Sequence, residues 1–280
     1  MASHVSVEAT APTLRLSTGA EIPQLGLGMW QLREGKECED AVAAALQAGY
    51  RHFDCAQDYG NEASLGRALE RSGIARERVF LTTKIWNDNY GWDVLIPSFE
   101  ESLERLRTDY VDLLLLHFPV TERRRPAWRR MEHVLDSGAA RAIGVSNYTI
   151  RHLEELLAEC DVRPVVNQVE LHVFLQQREL RDYCARNDVL VEAYSPLAHG
   201  YRMDDPVLER LARKHAKTAA QIKIRWCLEQ GLVALPKSVR RERIEANFDV
   251  FDFALDEEDL REVAALDRGV VTCWDPTHVP

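Results

Sequence analysis

Gly26-Leu27-Gly28-Met29-Trp30-Gln31 opens like the glycine-rich turn of a dinucleotide-binding open sheet, but Gln31 stands where the last glycine belongs. In a doubly wound sheet that glycine lets the following helix pack closely on its strand, so the pattern starts and then fails. Working outward, short β-branched or Leu-rich runs alternate with amphipathic segments along nearly the whole chain. The candidate strands are Leu25–Gly28, Tyr50–Asp54, Val79–Thr83, Tyr110–Leu116, Arg141–Ser146, Val165–Glu170, Leu190–Tyr194 and Leu232–Leu235. Between them, Phe99, Leu103 and Leu106 share a helical face, as do Trp128, Met131 and Leu135, and Ile150, Leu153, Leu156 and Leu157. Gly49, Gly73, Gly138 and Gly231 sit where helices should stop in a left-handed residue.

Strands that are each followed by a helix pair in parallel through right-handed crossovers. Eight such units close into a single-domain α/β fold, the (β/α)8 TIM barrel. A doubly wound open sheet is the alternative, and the failed glycine pattern favours the barrel. Leu14–Leu16 and Ile22–Gln24, around Ser17-Thr18-Gly19, read as an N-terminal β-hairpin. Extra C-terminal helices follow the eighth strand, one at Arg243–Asn247 and one running from Asp256 through Leu260, Val263 and Leu266. No linker-like shift in composition occurs, so residues 1–12 are expected to form a flexible tail and 13–280 one domain.

Composition narrows the function. With 280 residues, 35 Lys+Arg and 45 Asp+Glu, the formal charge is −10, which disfavours a general nucleic-acid binder. Cys38, Cys55, Cys160, Cys184, Cys227 and Cys273 form no Cys-x-x-C pair, so neither a disulfide scaffold nor a structural zinc site is expected. The opening MASHVSVEATAPT lacks the basic start and apolar core of a secretory signal. The longest apolar stretch, Val111 to Val120, is broken by Asp112 and His117 and is too short for a membrane span. These features read as a cytoplasmic protein with no membrane partner.

Barrel chemistry sits where the strands end. Asp54 ends the second strand with Tyr59 in the following loop, Lys84 ends the third, and His117 follows the fourth. Ser146-Asn147 end the fifth strand, Gln168 lies on the sixth, Tyr194-Ser195 end the seventh, and Lys237-Ser238 follow the eighth. Asp54 and Lys84 alone could be a structural ion pair, His117 a packed core histidine and Tyr59 a loop cover. Their arrival on one rim is harder to explain by packing, because burying charge is costly unless it is paired. A free phenol with pKa about 10 is a weak acid at neutral pH, and an adjacent ammonium should lower it toward the working range. Asp54 would keep Lys84 charged, and His117 could orient a carbonyl oxygen.

This equipment protonates a carbonyl while another group attacks its carbon. No activated nucleophile and no metal-ligand spacing is evident among the nine histidines, so the attacking group should come from a cofactor. The stretch from Pro236 to Arg243 opens a helix after the eighth strand with several cations, where barrels commonly bind phosphate. A solvated basic helix start is the other reading. Tyr194 offers a flat aromatic for stacking on a planar ring.

Asp54-Cys55-Ala56-Gln57-Asp58-Tyr59-Gly60-Asn61-Glu62, Thr83-Lys84-Ile85-Trp86, Asp112–His117 with Pro119, Gly144-Val145-Ser146-Asn147, Asn167-Gln168-Val169-Glu170 and Pro236-Lys237-Ser238 together resemble the aldo-keto reductases. The likeness runs from about Leu14 to Pro276. It implies NADPH-dependent reduction of aldehydes and ketones by a monomer. Tyr59 would be the proton donor, tuned by Lys84 and Asp54, with His117 orienting a small-molecule carbonyl substrate. Ser146, Asn147 and Gln168 would bind the nicotinamide amide and Tyr194 its ring, with Ser195 and Leu197 also in the cofactor site. Lys237, Ser238 and Arg243 would hold the 2′-phosphate of NADPH/NADP+, with Asn247 near the adenine, while Trp30, Trp86 and Phe118 would line the substrate mouth.

Three positions depart from the usual pattern: Ala246 where Glu commonly stands, Phe118 where Trp is common, and Asp58 beside the tyrosine. The short loop from Phe118 to Ala127 and the short tail resemble microbial members related to diketogluconate reductases. Arg123, Arg124 and Arg125 in that loop read as a solvated patch rather than a substrate handle. Some relatives of the fold serve as regulatory subunits, so a nicotinamide-binding sensor is the alternative to an enzyme.

Overall fold

Residues 10–280 are described by a computed structural model. Of the expected tail, residues 1–9 lie outside the described residues; Ala11 is buried, and the Pro12 carbonyl accepts a hydrogen bond from Gln24 N. An antiparallel hairpin of β1 (Thr13–Arg15) and β2 (Glu21–Pro23) comes first. It begins one residue earlier than the sequence pattern suggests. Eight parallel strands follow: β3 (Leu27–Gly28), β4 (His52–Asp54), β5 (Phe80–Ile85), β6 (Leu113–Leu116), β7 (Ile143–Ser146), β8 (Val166–Glu170), β9 (Leu190–Tyr194) and β10 (Val233–Leu235). They pair in strict chain order from β3 to β10.

The sheet closes on itself. Gly26 N donates to Ala234 O, Ala234 N to Gln24 O, and Gly28 N to Pro236 O, at 2.9, 2.9 and 3.1 Å. The two glycines that imitate a dinucleotide turn work at this seam. A Cβ on Gly28 would lie 2.8 Å from Leu235 O, and one on Gly26 would lie 2.8 Å from both the His52 ring and a Leu235 methyl. Only hydrogen at these positions lets the first and last strands approach.

Alternation along each strand decides what enters the barrel. Leu113 and Leu115 pack inward with Phe80, Val166, Val233 and Leu235, whereas Leu114 and Leu116 pack outward with the helix layer. The hairpin adds Leu16 and Ile22 to the inner cluster, plugging the end of the barrel where the strands begin. By the same parity Phe80, Thr82 and Lys84 face inward on β5, as do His52 and Asp54 on β4 and Gln168 and Glu170 on β8. The interior therefore grades from an apolar floor to a polar rim.

Ten α-helices surround the strands among the described residues: α1 (Lys36–Ala48), α2 (Glu62–Ser72), α3 (Leu95–Leu106), α4 (Arg124–Asp136), α5 (Ile150–Glu159), α6 (Arg178–Arg186), α7 (Pro206–Lys214), α8 (Ala219–Glu229), α9 (Arg241–Phe248) and α10 (Glu257–Ala264). Thr149, Thr218 and Asp256 cap α5, α8 and α10 with reciprocal side-chain bonds, each cap contributing about 1 kcal/mol. Gly49, Gly73, Gly138 and Gly231 all have positive φ, as their placement at helix ends requires. Two corrections concern length: β5 runs on through Ile85, so Lys84 lies within the strand, and α9 begins at Arg241 rather than Arg243. The connection from β9 to β10 holds two helices, α7 and α8, where one was expected.

Candidate active site

Lys84 sits at the rim of β5 with its side chain fully buried, which an ammonium tolerates only when its donors are satisfied. Its Nζ donates to Asp54 Oδ1 at 2.6 Å, to the Cys55 carbonyl at 2.8 Å and to the Tyr59 hydroxyl oxygen at 3.2 Å. Burial works against the ammonium, but Asp54 and Tyr59 together hold its pKa above the ordinary lysine range. Tyr59 arrives on a short 3-10 turn (Gln57–Tyr59) just past β4. That turn is anchored by Gln57, whose amide donates to Ser98 O and Ser102 Oγ and accepts from Trp86 N and Asn89 Nδ2.

Burial pushes the Tyr59 phenol up to about 12, outweighing the downward pull of Lys84. This is opposite to the direction expected from the sequence. The reason is physical: Asp54 offsets the ammonium's field at the phenol, and a phenolate loses solvation here. Tyr59 is therefore a protonated acid at neutral pH. Its oxygen accepts from Lys84, and among the described residues no group accepts the phenolic hydrogen.

His117 continues the inward parity of Leu113 and Leu115. Its ring stacks on Phe118 at 4.8 Å and meets the edges of Tyr59 and Trp86 at 5.7 and 5.3 Å. Burial, then the charge of Lys84, places its pKa well below the usual histidine range, so the imidazole is neutral. Nδ1 is buried without a partner, while Nε2 is not sealed from solvent. An orphaned buried N–H is the costlier choice, so the neutral ring carries its proton on Nε2.

The nicotinamide candidates cluster across the rim. Asn147 Nδ2 donates to the His117 carbonyl and to Ser146 Oγ, and Asn147 Oδ1 accepts from the Tyr194 hydroxyl at 2.7 Å. Gln168 Nε2 donates to Asp54 Oδ2 at 2.7 Å. Ser195 has positive φ and its hydroxyl lies 3.4 Å from both His199 Nε2 and Cys273 Sγ. Leu197 is half-buried against the core, and its carbonyl accepts from buried Lys223 at 3.4 Å.

Of the cations after β10, Arg240 pairs with Glu242 and Arg241 with Glu245. Lys237 and Arg243 are exposed and, among the described residues, make no ion pair or side-chain hydrogen bond, although the chain carries ten more carboxylates than cations. Ser238 Oγ accepts from Arg240 N, and among the described residues the Asn247 amide makes no side-chain bond. These unspent donors fit a bound anion with a polar neighbour.

At the mouth, Trp86 and Phe118 meet edge to face at 5.8 Å, and Trp30, 42 % exposed, meets His199 at 5.5 Å. Sequence reasoning gave Trp274 no role in the site, yet its ring packs on Phe118 at 4.6 Å. The tail bearing it is tied down by Glu170, which accepts from Thr272 N at 2.8 Å and Cys273 N at 3.0 Å. Nothing in the spacing of Trp274 marks it, since its partner Phe118 lies far away in sequence, just after β6. The Arg123–Arg125 patch is largely consumed by structure: Arg124 is buried on Glu155, and Arg125 pairs with Glu159 at 2.8 Å. Glu192 and His52, both buried inside the barrel, were also missed. A polar residue at an inward position of an otherwise apolar strand was the available signal.

Comparison with known proteins identifies the family. The Aldo/keto reductase family model matches residues 24–268, and the chain belongs to that family. It is 44% identical to the glyoxal reductase of Bacillus subtilis (strain 168) over 91% of this chain and 93% of that one. It is 43% identical to the methylglyoxal reductase DkgA of Escherichia coli (strain K12), over 96% and 98% of the two chains. Among solved structures, an aldo/keto reductase from Brucella melitensis superposes with TM-score 0.89 at 46% identity, covering 92% of this chain and all of that one, 100%. A Bombyx mori aldo-keto reductase solved in complex with NADP gives TM-score 0.91 at 32% identity, covering 97% and 100%.

Proposed function

We propose that this protein is an NADPH-dependent carbonyl reductase in which Tyr59 is the proton donor. The observation that carries the reading is the allocation of hydrogens around Lys84. All three ammonium hydrogens have acceptors, one of them the Tyr59 oxygen, so the phenolic hydrogen is the one left to give. When bound, NADPH supplies the hydride that the carbonyl carbon accepts. His117 Nε2–H would hold the carbonyl oxygen, and Tyr59 would donate its proton to that oxygen as negative charge develops there. Lys84, kept charged by Asp54, would then stabilise the phenolate left behind.

Lys237, Ser238 and Arg243 would hold the 2′-phosphate and Asn247 the adenine side. Ser146, Asn147 and Gln168 would take the carboxamide, with Tyr194 against the ring and Ser195 and Leu197 along the dinucleotide. Trp30, Trp86 and Phe118, joined by Trp274, would exclude water from the mouth. Relatives named as glyoxal and methylglyoxal reductases make small α-oxoaldehydes the first substrates to try.

The test is NADPH consumption over a panel of simple aldehydes, α-dicarbonyls, sugar acids and ketosteroids. Tyr59→Phe should lower kcat by about 10²- to 10⁴-fold, the usual worth of a positioned acid, with NADPH binding nearly intact. A variant that turned over at the parent rate would remove Tyr59 from the role. Binding of NADPH with no turnover of any carbonyl would instead assign the regulatory or sensor reading.

A further inference from the structure

Glu192 is a carboxyl that the mechanism above does not use. It faces inward on β9, two residues before Tyr194, and its side chain has no exposure. Its Oε2 accepts from Gln168 Nε2 at 2.8 Å, and the same nitrogen donates to Asp54 Oδ2 at 2.7 Å. Glu192 Oε1 has no hydrogen-bond partner; His52 Nε2 lies 3.9 Å away, and that ring is turned to Thr82 Oγ1 and the Pro23 carbonyl.

An amide group lying between two carboxyl oxygens is not free to flip. An oxygen in place of Nε2 would face the Asp54 carboxylate oxygen at the same 2.7 Å, a repulsive contact. Both amide hydrogens are therefore committed to the two carboxyls. Among the described residues Gln168 Oε1 has no hydrogen-bond partner, and it is not sealed from solvent, so it is the atom presented at the rim.

We infer that Glu192 is a positioning residue for the cofactor: with Asp54 it clamps the Gln168 amide, so that Gln168 Oε1 accepts from the carboxamide NH2 of a bound nicotinamide. The inference rests on the dinucleotide reading of the site. Burial and the charge of Asp54 push Glu192 up to about 8. At neutral pH the clamp is thus an uncharged acid, which holds the amide without adding a second anion beneath the Asp54–Lys84 pair. Asp54 alone could hold one hydrogen and leave the group able to swing; the second carboxyl fixes the plane.

The test compares two dinucleotides by quenching of tryptophan fluorescence: NADP+ and its 3-acetylpyridine analogue, which keeps the ring carbonyl but has a methyl in place of the amide NH2. Glu192→Met should weaken NADP+ about 3- to 10-fold, the worth of one net hydrogen bond, and leave the analogue unchanged. Glu192→Gln retains an acceptor oxygen and should restore parent behaviour toward both. Should Glu192→Met fail to fold, Glu192→Ala is measured in the same way. Equal losses for both dinucleotides, or no loss for either, would overturn the clamp. A parent protein that bound neither dinucleotide would remove the reading of the whole site and the clamp with it.

Discussion

The two ends of the barrel each carry a carboxylate held by cations, and they are built differently. Where β5, β6 and β7 begin, Asp112 accepts from Arg76 Nη2 at 2.7 Å and Leu81 N at 2.9 Å, with Arg141 Nη1 at 3.4 Å. Arg76 spends its remaining donors on Thr108 Oγ1 and the Val79 and Tyr110 carbonyls. Both guanidinium groups sandwich the Tyr110 ring, at 4.1 and 3.7 Å. At the other end Asp54 meets a lysine, a compact charge that reaches a carboxylate, a carbonyl and a phenol in three directions. The planar fork saturates itself on fixed acceptors and ties strands together, whereas the ammonium passes one contact to a side chain whose own proton is uncommitted. A paired cation at a strand end is thus structural or chemical according to what its last donor touches.

Lys84→Met breaks the contrast most severely. It leaves Asp54 buried without its counter-charge, which should cost about 3–5 kcal/mol in denaturant unfolding and abolish carbonyl reduction together. Loss of stability with activity retained would mean that the pair is only a brace like the Asp112 clamp. Next in size is the double variant Lys237→Ala, Arg243→Ala. With two charge-assisted bonds gone, KM for NADPH should rise at least about tenfold, while NADH is little affected; parallel losses would remove the phosphate assignment.

Asp112→Asn sharpens the comparison from the other end. Weakening partly solvated pairs should cost about 1–2 kcal/mol with kcat unchanged. A fall in kcat would show the lower clamp to be coupled to the rim. The smallest effect is in pH. Glu192 ionises near 8 in the fold but near its ordinary value of 4.5 in the unfolded chain. Unfolding therefore releases a proton between these values, and the parent loses stability as pH rises through that window. Glu192→Gln lacks this slope, so its melting temperature relative to the parent should climb from pH 5 to 8. A constant difference would mean that Glu192 is ionised in the fold throughout.

Much of this was legible because period-2 patterning and terminal glycines act locally. Leu190–Tyr194 was read to the residue, and the four-leucine run announced β6, where inner and outer faces are both apolar. What escaped depends on long-range contact. β5 outlasts its apolar run because Lys84 is paid for by Asp54 from the neighbouring strand, which no local pattern reveals. The direction of the Tyr59 shift was misjudged for the same reason, since the cation was visible in sequence and the burial was not. Trp274 reaches the mouth through a tail whose anchors include Glu170 on β8, and Glu192 matters through an amide on that same strand.

The seam between β3 and β10 has a consequence for how the protein matures. The hydrogen bonds that complete the barrel join the first strand of the cylinder to the last, so they draw on the most distant partners in the chain and form at a high entropic cost. Pro236, whose carbonyl is one of those acceptors, is followed immediately by Lys237 and Ser238. A cylinder still open at that joint would hold the Asp54, Lys84 and Tyr59 group assembled while Lys237 and Ser238 were not yet fixed. Tight capture of a phosphorylated dinucleotide would then mark the final stage of assembly, and in a refolding experiment it should lag behind the formation of helix.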